Sequence, residues 1–387
     1  MMLKGYAREN GTFGIRNHLL IIPASVCAVE VANRIAEKAG GISLPHQHGC
    51  CQMGADFRQT VRTLIGFGCN PNVGAVLVVG LGCEGIQADH IAHEIEKTGK
   101  QVSFITIQGC GGTTKTVEQG IQITSKMARN LSLMKRVTFP LNHIILGMEC
   151  GGSDPTSGIV ANPAIGIASD LLVSMGGSSI LSETTEVIGA EHILEERFYD
   201  SKERAKFLNM VFNVEKRALA VGEDLRGSQP TPGNIQGGLS TIEEKSLGCM
   251  HKAGDTTPFM GALEYGELVP SSNSGLYFMD TPGEDIDSIT GMVAGGAQLI
   301  VFTTGRGTPT GCPIAPVIKI TGNPETYRNM EENIDINGGK VILGECSLDS
   351  VGTEIFEKMV SVANGELTKA EKLGHKEFGI YRIGYTF

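Results

Sequence analysis

The stretch "AVLVVGLGCEG" (residues 75–85) decides the fold class, because its nearly continuous apolar run ends in a glycine-rich turn. Four further segments are apolar runs that end in a glycine-rich turn or in small residues, at residues 18–25, 102–113, 143–154 and 297–311. Val- and Ile-rich runs of this length are typical of strands that are buried on both faces. Helical periodicity appears between these runs, at residues 27–38, 55–68, 86–98, 115–130, 157–175 and 285–296. The alternation predicts an α/β fold with mainly parallel sheets flanked by helices.

The length of 387 residues exceeds one ordinary hydrophobic core and predicts two domains. The stretch "SLMKRVTFP" (132–140) carries two basic residues and ends at a proline, so we place an α/β domain at 1–135 and an α/β catalytic domain at 136–387. We interpret the irregular stretch 226–238 as a long active-site loop, because patterning resumes soon after it. Ligands gather at the carboxyl ends of parallel strands, so the glycine-rich strand-end loops are expected to form the site.

Charge, hydropathy and cysteine content limit the partners and the cellular compartment that can be expected for the protein. The formal net charge is −10 and no basic stripe is visible, which argues against a nucleic-acid or membrane-surface partner. No stretch approaches 18 uncharged apolar residues, so no membrane span is expected. The ten cysteines show no C-x-x-C spacing, which argues against a zinc ribbon and a thioredoxin-type pair. These features predict a reduced, cytoplasmic protein.

Acidic and thiol side chains stand at the predicted strand ends. "GLGCEG" places Cys83 there, and "GMECGGSD" places Glu149, Cys150 and Asp154 at another. Such residues are candidates for metal ligands or acid–base groups. A cysteine alone is more often a small buried hydrophobe, whereas a buried carboxylate costs several kcal/mol unless it is paired or bound to metal.

The stretch "LPHQHGCCQMGAD" (44–56) concentrates four reactive residues. In an extended backbone His46 and His48 would share a face. A turn at the proline and glycine would instead let His46 and Cys50 face the same way. Solvated or core-packed histidines are the alternative to a metal site.

The stretch "QGCGGTTKTVEQG" (108–120) follows a strand and opens a helix. It resembles a phosphate-binding P-loop, but Thr114 occupies the position of the second glycine. A helix N-terminus also suits a carboxylate, which makes Thr114 and Lys115 candidates for binding substrate. A glycine turn capped by threonine is the alternative.

Four further residues are candidates in or next to predicted strands. Glu183 follows the strand-like "GSSIL" and either contributes to a site or caps a helix start, as does the nearby Glu186. Arg306 in "TTGRG" suits bidentate binding of a carboxylate. Lys319 interrupts an apolar strand and either points into a site or extends to its edge.

Taken together, motifs in fixed order resemble the altronate/galactarate dehydratase family of hydro-lyases over nearly the whole chain. They are "GYARENGTFGIRNHLLIIP", "HGC", "GLGCE", "ECGGSDPTSGIVANPAIG", "SETTEVIGAEHIL", "EKSLGC", "FMDTPG", "FTTGRGTPTG" and "DINGG". The resemblance implies elimination of water from a sugar acid with a divalent metal, usually Fe²⁺, with Mn²⁺ as the alternative. A close branch, the sulfolactate sulfo-lyase large subunit, implies release of sulfite instead.

The resemblance also implies partners. Family members often carry a small SAF-type domain ahead of this region, so we expect a separate small SAF-type subunit. Formation of a homo-oligomer is left undecided. A function of a different class is the alternative to an enzyme, namely a non-catalytic binding or regulatory subunit.

The resemblance finally suggests residue roles. The implied metal ligands are His46, Cys50, Cys83 and Cys150. The implied base or ligand candidates are Glu149, Asp154 and Glu183. Arg306 and Lys319 are expected to hold the substrate carboxylate. His48 and Cys51 occupy positions where the family more often has a small residue.

Overall fold

A computed structural model describes residues 1–384. Its strands are β1 (Met2–Ala7), β2 (Phe13–Gly14), β3 (His18–Pro23), β4 (Ile42–Ser43), β5 (Val73–Gly80), β6 (Gln101–Thr106), β7 (Val137–Pro140), β8 (Ile145–Cys150), β9 (Ser178–Leu181), β10 (Phe259–Leu263), β11 (Leu276–Met279), β12 (Leu299–Thr303), β13 (Val317–Thr321) and β14 (Ile336–Asn337).

The α-helices are α1 (Val29–Ala39), α2 (Gly54–Cys69), α3 (Ala88–Glu96), α4 (Ile107–Cys110), α5 (Thr113–Leu133), α6 (Asn162–Ser174), α7 (Glu191–Leu194), α8 (Ser201–Ala220), α9 (Leu225–Ser228), α10 (Pro232–Gln236), α11 (Ile242–Cys249), α12 (Asp285–Ala294), α13 (Pro324–Asn329), α14 (Leu348–Ala363) and α15 (Lys369–Leu373). The five predicted apolar runs overlap β3, β5, β6, β8 and β12. The six predicted helical segments correspond to α1, α2, α3, α5, α6 and α12.

Two parallel sheets form the body of the protein, which confirms the predicted fold class. The smaller sheet has the order β4-β3-β5-β6, and the larger has the order β10-β11-β9-β8-β12-β13-β14. All their pairings are parallel. Because helices cover their faces, central strands such as β5 and β8 are buried along most of their length.

A third, antiparallel sheet has the order β2-β1-β7 and was not predicted. The smaller parallel sheet lies entirely before residue 135 and the larger one entirely after it. However, β1 pairs with β7 across that position, since Leu3 lies opposite Phe139. The division of the chain at residue 135 stays a prediction.

The two parallel sheets share one hydrophobic core. It contains Phe67 of α2 and Phe302 of β12, both fully buried. Asparagine amides extend the contact, because Asn70 Nδ2 donates to the carbonyls of Val293 and Ala297, both at 2.9 Å. Buried amide groups bonded in this way fix the packing of α2 against α12.

Gly66 in α2 makes the closest approach between these helices. A Cβ atom added there would lie 2.4 Å from the carbonyl oxygen of Ala294. We expect Gly66→Ala to lower the free energy of unfolding by about 1–3 kcal/mol, because the helices must move apart. Urea denaturation measures this change. Gly233→Ala is the control, since its added Cβ would meet no described atom within 4 Å; equal losses in the two variants would contradict the packing argument.

Lys100 is a buried lysine, and burial disfavours the charged form of its side chain. Its Nζ donates to the carbonyls of Gly68 and Asn70 at 2.8 and 2.7 Å, and burial lowers the pKa of Lys100 to about 7. The unfolded chain therefore binds more protons than the folded one between pH 7 and the ordinary pKa of 10.5.

Across that window the wild-type protein should gain stability relative to Lys100→Met as the pH rises. The expected gain is roughly 1.4 kcal/mol for each unit of pKa difference. Denaturation of both proteins across pH 7 to 10.5 measures it. A difference in stability that does not change with pH would show that the pKa of Lys100 is not lowered in the folded protein.

The residues 375–384 return from the larger part of the chain to α2. Phe378 packs against Phe67, and the carboxylate of Asp56 accepts hydrogen bonds from the amides of Ile383 and Gly384 at 2.6 and 2.7 Å. Earlier in this segment, Glu377 accepts a bond from the amide of Gly311 at 2.7 Å. The segment therefore connects the loop after β12 with the start of α2.

One helical stretch, Ser157–Ser174, is apolar enough to span a membrane by length and composition. However, 56% of it is buried inside the protein, and α6 within it packs against α14. It begins with a π-helical turn at Ser157–Ala161, a feature that is frequent near functional sites. The stretch therefore has the surroundings of a core helix.

Candidate active site

Four buried acidic and thiol groups meet at the carboxyl edge of the larger sheet. Glu149 and Cys150 are the last two residues of β8 and are 0% and 1% exposed. Glu183 follows β9 with a left-handed backbone (φ 71°), and Glu186 lies in the turn after it. A non-glycine residue held in this conformation is a feature that clusters at functional sites.

Two lysines reach this cluster from α11 and the turn that follows it. Lys252 Nζ lies 2.5 Å from Glu183 Oε2 and 3.5 Å from Glu186 Oε2. Lys245 Nζ lies 2.5 Å from Glu186 Oε1. Burial alone would raise the pKa of Glu186, but Lys245 and Lys252 overcome it and lower that pKa to about 2. Burial opposes the charge of Lys252 as well, yet its anionic neighbours raise its pKa, so this ammonium stays protonated.

Cys150 links the lysine and acid groups through its sulfur. Its Sγ lies 2.8 Å from Lys252 Nζ, 2.6 Å from Glu186 Oε2 and 3.4 Å from Cys249 Sγ. Burial, with Cys249 next to it, raises the pKa of the Cys150 thiol. The thiol therefore keeps its proton and donates it in a hydrogen bond to Glu186.

Glu149 and Asp285 form the other side of the cluster. One ligand oxygen each from Glu149, Glu183 and Asp285 lies within 4.8 Å of the others. Glu149 Oε2 accepts a bond from Ser288 Oγ at 2.7 Å. Burial and then Glu183 raise the pKa of Glu149, and burial with the charges of Glu183 and Glu186 raises that of Asp285 to about 7.

Two carboxylate oxygens in this group are unusual. Glu149 Oε1 and Glu183 Oε1 are buried and have no hydrogen-bond partner among the described residues. A buried oxygen without a partner is costly, so such atoms point to a proton, a water molecule or a cation. Carboxylate oxygens in this number fit a divalent metal ion.

A cavity of about 240 Å³ lies beside the cluster. Lys245 and Cys249 belong to both, so the cavity connects the buried groups with the surface. Its lining residues are Ser153, Asp154, Pro155, Ser157, Gly158, Ile159, Asn162, Leu239, Glu244, Lys245, Leu247, Gly248, Cys249 and His251.

Of the three predicted catalytic residues, Glu149 and Glu183 lie in the cluster, while Asp154 lines the cavity. Asp154 Oδ1 accepts from Thr156 Oγ1 at 2.6 Å, and its Oδ2 accepts from Asn323 Nδ2 at 2.8 Å. These bonds hold the loop after β8. A catalytic role for Asp154 stays a prediction.

The loop 226–238 packs against this same region. Asn234 Oδ1 accepts a bond from the amide of Ser153 at 2.8 Å. Within the loop, α9 and α10 are short helices that the sequence did not indicate. Its interpretation as an active-site loop stays a prediction.

The predicted carboxylate-binding residues have different surroundings. Arg306 is exposed, and its amide donates to the carbonyl of Gly152 at 3.0 Å, next to the loop after β8. Lys319 is fully buried, and its Nζ donates to the carbonyls of Pro309 and Thr310 at 2.9 and 2.8 Å. In this arrangement Lys319 holds the loop that carries Arg306. Binding of substrate by either residue stays a prediction.

The predicted ligands of the first 135 residues lie at the carboxyl edge of the smaller sheet. Both ring nitrogens of His46 are engaged, with the carbonyl of Pro23 at 2.8 Å and the amide of His48 at 3.1 Å. Cys50 is exposed, and its sulfur lies 3.7 Å from that of Cys51. Cys83 is also exposed.

Among the described residues, two groups bring three or more metal-ligand side chains together. One is Cys150, Glu186 and Cys249, and the other is Glu149, Glu183 and Asp285. Of the predicted ligand set, these groups contain Cys150 alone. Joint binding of one ion by that set stays a prediction.

His48 anchors the C-terminal segment. Its Nε2 bonds to the carbonyl of Ile380 at 2.9 Å, and its Nδ1 bonds to Gln52 Nε2 at 3.2 Å.

Thr114 and Lys115 are exposed at the start of α5, after two glycines with positive φ. Their predicted role in binding substrate is still a prediction.

Sequence reasoning missed four residues of the site: Lys245, Cys249, Lys252 and Asp285. A signal for three of them was present, because positions 245, 249 and 252 are spaced by four and three residues and share one helical face. The fourth begins α12 in a stretch with an ordinary capping pattern, and nothing in that pattern distinguishes it.

Comparison with known proteins identifies the family of the chain. A family model described as D-galactarate/altronate dehydratase, C-terminal, matches residues 141–386. A second, described as D-galactarate dehydratase/altronate hydrolase, second domain, matches residues 5–132.

Individual relatives cover nearly the whole chain. An altronate dehydratase of Bacillus subtilis is 35% identical over 395 residues, which are 99% of this chain and 78% of the relative. The (2R)-sulfolactate sulfo-lyase subunit beta of Chromohalobacter salexigens is 37% identical over 387 residues, which are 98% of this chain and 97% of the relative. A galactarate dehydratase (L-threo-forming) of Escherichia coli is 36% identical over 313 residues, which are 79% of this chain and 59% of the relative. The chain belongs to the D-galactarate/altronate dehydratase family.

Proposed function

We propose that the protein is a lyase that eliminates water from a sugar acid of the altronate or galactarate type, giving a 2-keto-3-deoxy acid. The observation that carries this proposal is the pairing of Lys245 and Lys252 with buried carboxylates beside a cavity of about 240 Å³. Named relatives at 35–37% identity support the lyase class.

The reaction explains why positive charge must lie next to the cavity. A proton alpha to a carboxylate is very weakly acidic, so its removal requires cations that stabilise the dianionic intermediate. Lys245 lines the cavity and stays protonated beside Glu186, so it can hold the substrate carboxylate. Lys252 adds a second positive charge to the cluster, where its ammonium contacts Glu186 and Cys150.

The base must reach a substrate that is bound in the cavity. His251 lines the cavity, and histidine is the side chain that most often acts as a general base, so we assign proton removal to His251. Glu183, in the buried cluster beside the cavity, is the alternative base, because burial raises its pKa and makes it a stronger proton acceptor. His251→Ala should then abolish exchange of the α-proton with solvent deuterium, whereas an effect of Glu183→Gln alone would move the role to Glu183.

A divalent metal is part of the proposal, with Fe²⁺ as the first candidate and Mn²⁺ as the second. The buried, unpartnered oxygens of Glu149 and Glu183 fit such an ion. When bound, the metal would be held by these carboxylates and would supply a Lewis acid.

A second candidate function is elimination of sulfite from a 2-hydroxy-3-sulfo acid. The observation that favours it is similarity, since the chain is 37% identical to the sulfo-lyase subunit and 35% identical to the altronate dehydratase. The cavity favours water elimination, because Lys245 is the one lysine or arginine among its described lining residues. A sulfonate leaving group would require more cationic donors than a hydroxyl group does.

The proposal also includes a setting and a partner. A reduced, cytoplasmic setting is proposed because the spacing of the ten cysteines in a chain of this length is not typical of a disulfide scaffold. A separate small SAF-type subunit is proposed because one relative at 37% identity is named as a subunit beta.

The test is an anaerobic assay with ferrous or manganous ion, with and without the candidate small subunit. The substrates are altronate, galactarate and sulfolactate, and the products measured are keto acid, pyruvate and sulfite. Keto acid from a sugar acid supports the dehydratase, and sulfite supports the second candidate. No turnover under any of these conditions would reject the lyase proposal and leave a binding subunit.

A further inference from the structure

The buried cluster carries more negative than positive charge. It contains four carboxyl groups, on Glu149, Glu183, Glu186 and Asp285, and two ammonium groups, on Lys245 and Lys252. With all of these ionised, two negative charges are left without a balancing cation. Such an excess is not sustained away from water, so the cluster must take up protons or a divalent cation.

The two groups of potential metal ligands differ in whether their ligand atoms already have hydrogen-bond or ion-pair partners. At Cys150, Glu186 and Cys249, the ammonium of Lys252 lies 2.8 Å from the Cys150 sulfur, and both oxygens of Glu186 contact lysines. These contacts use the electron pairs that a metal ion would need. A resident lysine therefore takes the place of a metal ion in this group.

The carboxylate group is arranged differently. Oε2 of Glu149 accepts from Ser288, and Oε2 of Glu183 accepts from Lys252, which fixes both side chains. The remaining oxygens, Oε1 of each residue, are fully buried and have no partner among the described residues. Asp285 supplies the third carboxylate, and it is partly exposed, which provides a route from solvent.

From these observations we propose that Glu149, Glu183 and Asp285 bind one divalent cation that prefers oxygen ligands. The inference deepens the proposed function, on which its catalytic meaning rests. It assigns the ion to the carboxylates at the ends of β8 and β9 and the start of α12. It also assigns Lys252 to the adjacent thiol group as the permanent cation there. Oxygen ligands of this kind select Mn²⁺, Mg²⁺ or Fe²⁺ over ions that prefer thiolate.

The test uses Mn²⁺ as the probe, because free and bound Mn²⁺ differ in their electron paramagnetic resonance signals. The full-length protein is stripped with a chelator and titrated with Mn²⁺. Wild type should bind one ion per chain. Asp285→Asn should weaken binding at least about tenfold, as loss of a metal contact typically does. This residue is partly exposed, so the variant is expected to fold.

Two variants provide matched controls. Asp287 lies two residues from Asp285 in α12 and outside the ligand group, so Asp287→Asn should bind Mn²⁺ as wild type does. Cys249→Ser changes the thiol group and should also leave binding unchanged. Unchanged binding in Asp285→Asn, loss of binding in Cys249→Ser, or no binding by wild type would each overturn the proposal.

A parallel lyase assay separates this proposal from the one on which it rests. Stoichiometric Mn²⁺ binding without turnover of any acid would keep the metal site and reject the lyase. Full turnover by the stripped protein in the presence of chelator would reject a catalytic role for the ion and keep the lyase.

Discussion

Replacement of Lys252 by methionine is expected to lower kcat/KM for the sugar acid at least about 100-fold, because it removes a preorganised cation from the site. It should also lower the free energy of unfolding by about 3–5 kcal/mol, since Glu183 and Glu186 lose a buried counter-charge. Lys252 is 0% exposed, so water cannot replace its ammonium. Initial rates and urea denaturation measure the two effects.

The matched control for this variant is Lys100→Met. Lys100 is also a buried lysine, but its ammonium bonds to two backbone carbonyls. Its replacement leaves no carboxylate unpaired and should keep activity close to wild type. A double variant, Lys252→Met with Glu183→Gln, should recover part of the lost stability. If Lys252→Met is no less stable than Lys100→Met, the ion pair does not balance the cluster.

Replacement of Lys245 by methionine is the second large effect. Lys245 lines the cavity and bonds to Glu186, so its loss should lower kcat/KM by about 100- to 1,000-fold. Its side chain is 12% exposed, so the cost in stability should be smaller than for Lys252→Met. Steady-state kinetics that resolve kcat and KM measure the effect.

Arginine at this position separates charge from shape. Lys245→Arg keeps a cation and should retain part of the activity that methionine loses. Lys206→Met is a control at a half-exposed ion pair with Glu267, and it should be neutral. Equal activity of the methionine and arginine variants would show that the charge of Lys245 plays no part in the reaction.

Much of the fold followed from residue patterns, for a physical reason. Strands buried on both faces must be apolar throughout, so β3, β5, β8 and β12 appear in the sequence as nearly continuous apolar runs that end in small residues or glycine. The edge strand β6 has a similar pattern, although most of its residues are exposed or half-buried. The sheet of β1, β2 and β7 lacks such runs. Its strands are partly exposed, and β1 and β7 are more than 130 residues apart, so no local pattern reports their pairing.

The candidate site was predicted in part for a related reason. Glu149, Cys150 and Glu183 follow buried strands, and topology alone brings such residues to one edge of a sheet. Lys245, Cys249 and Lys252 come from a helical segment between two sheet strands, so their contribution depends on tertiary packing. Their spacing by four and three residues showed a shared helical face but not what that face contacts.

The return of residues 375–384 to α2 has a consequence for synthesis of the chain. A ribosome makes the four strands of the smaller sheet hundreds of residues before Phe378, which covers Phe67. His48 and Asp56 likewise wait for the backbone of Ile380 and Ile383. The part that emerges first therefore cannot complete its core until residues 378–383 have been synthesised, and during that interval its apolar surface is open to chaperones.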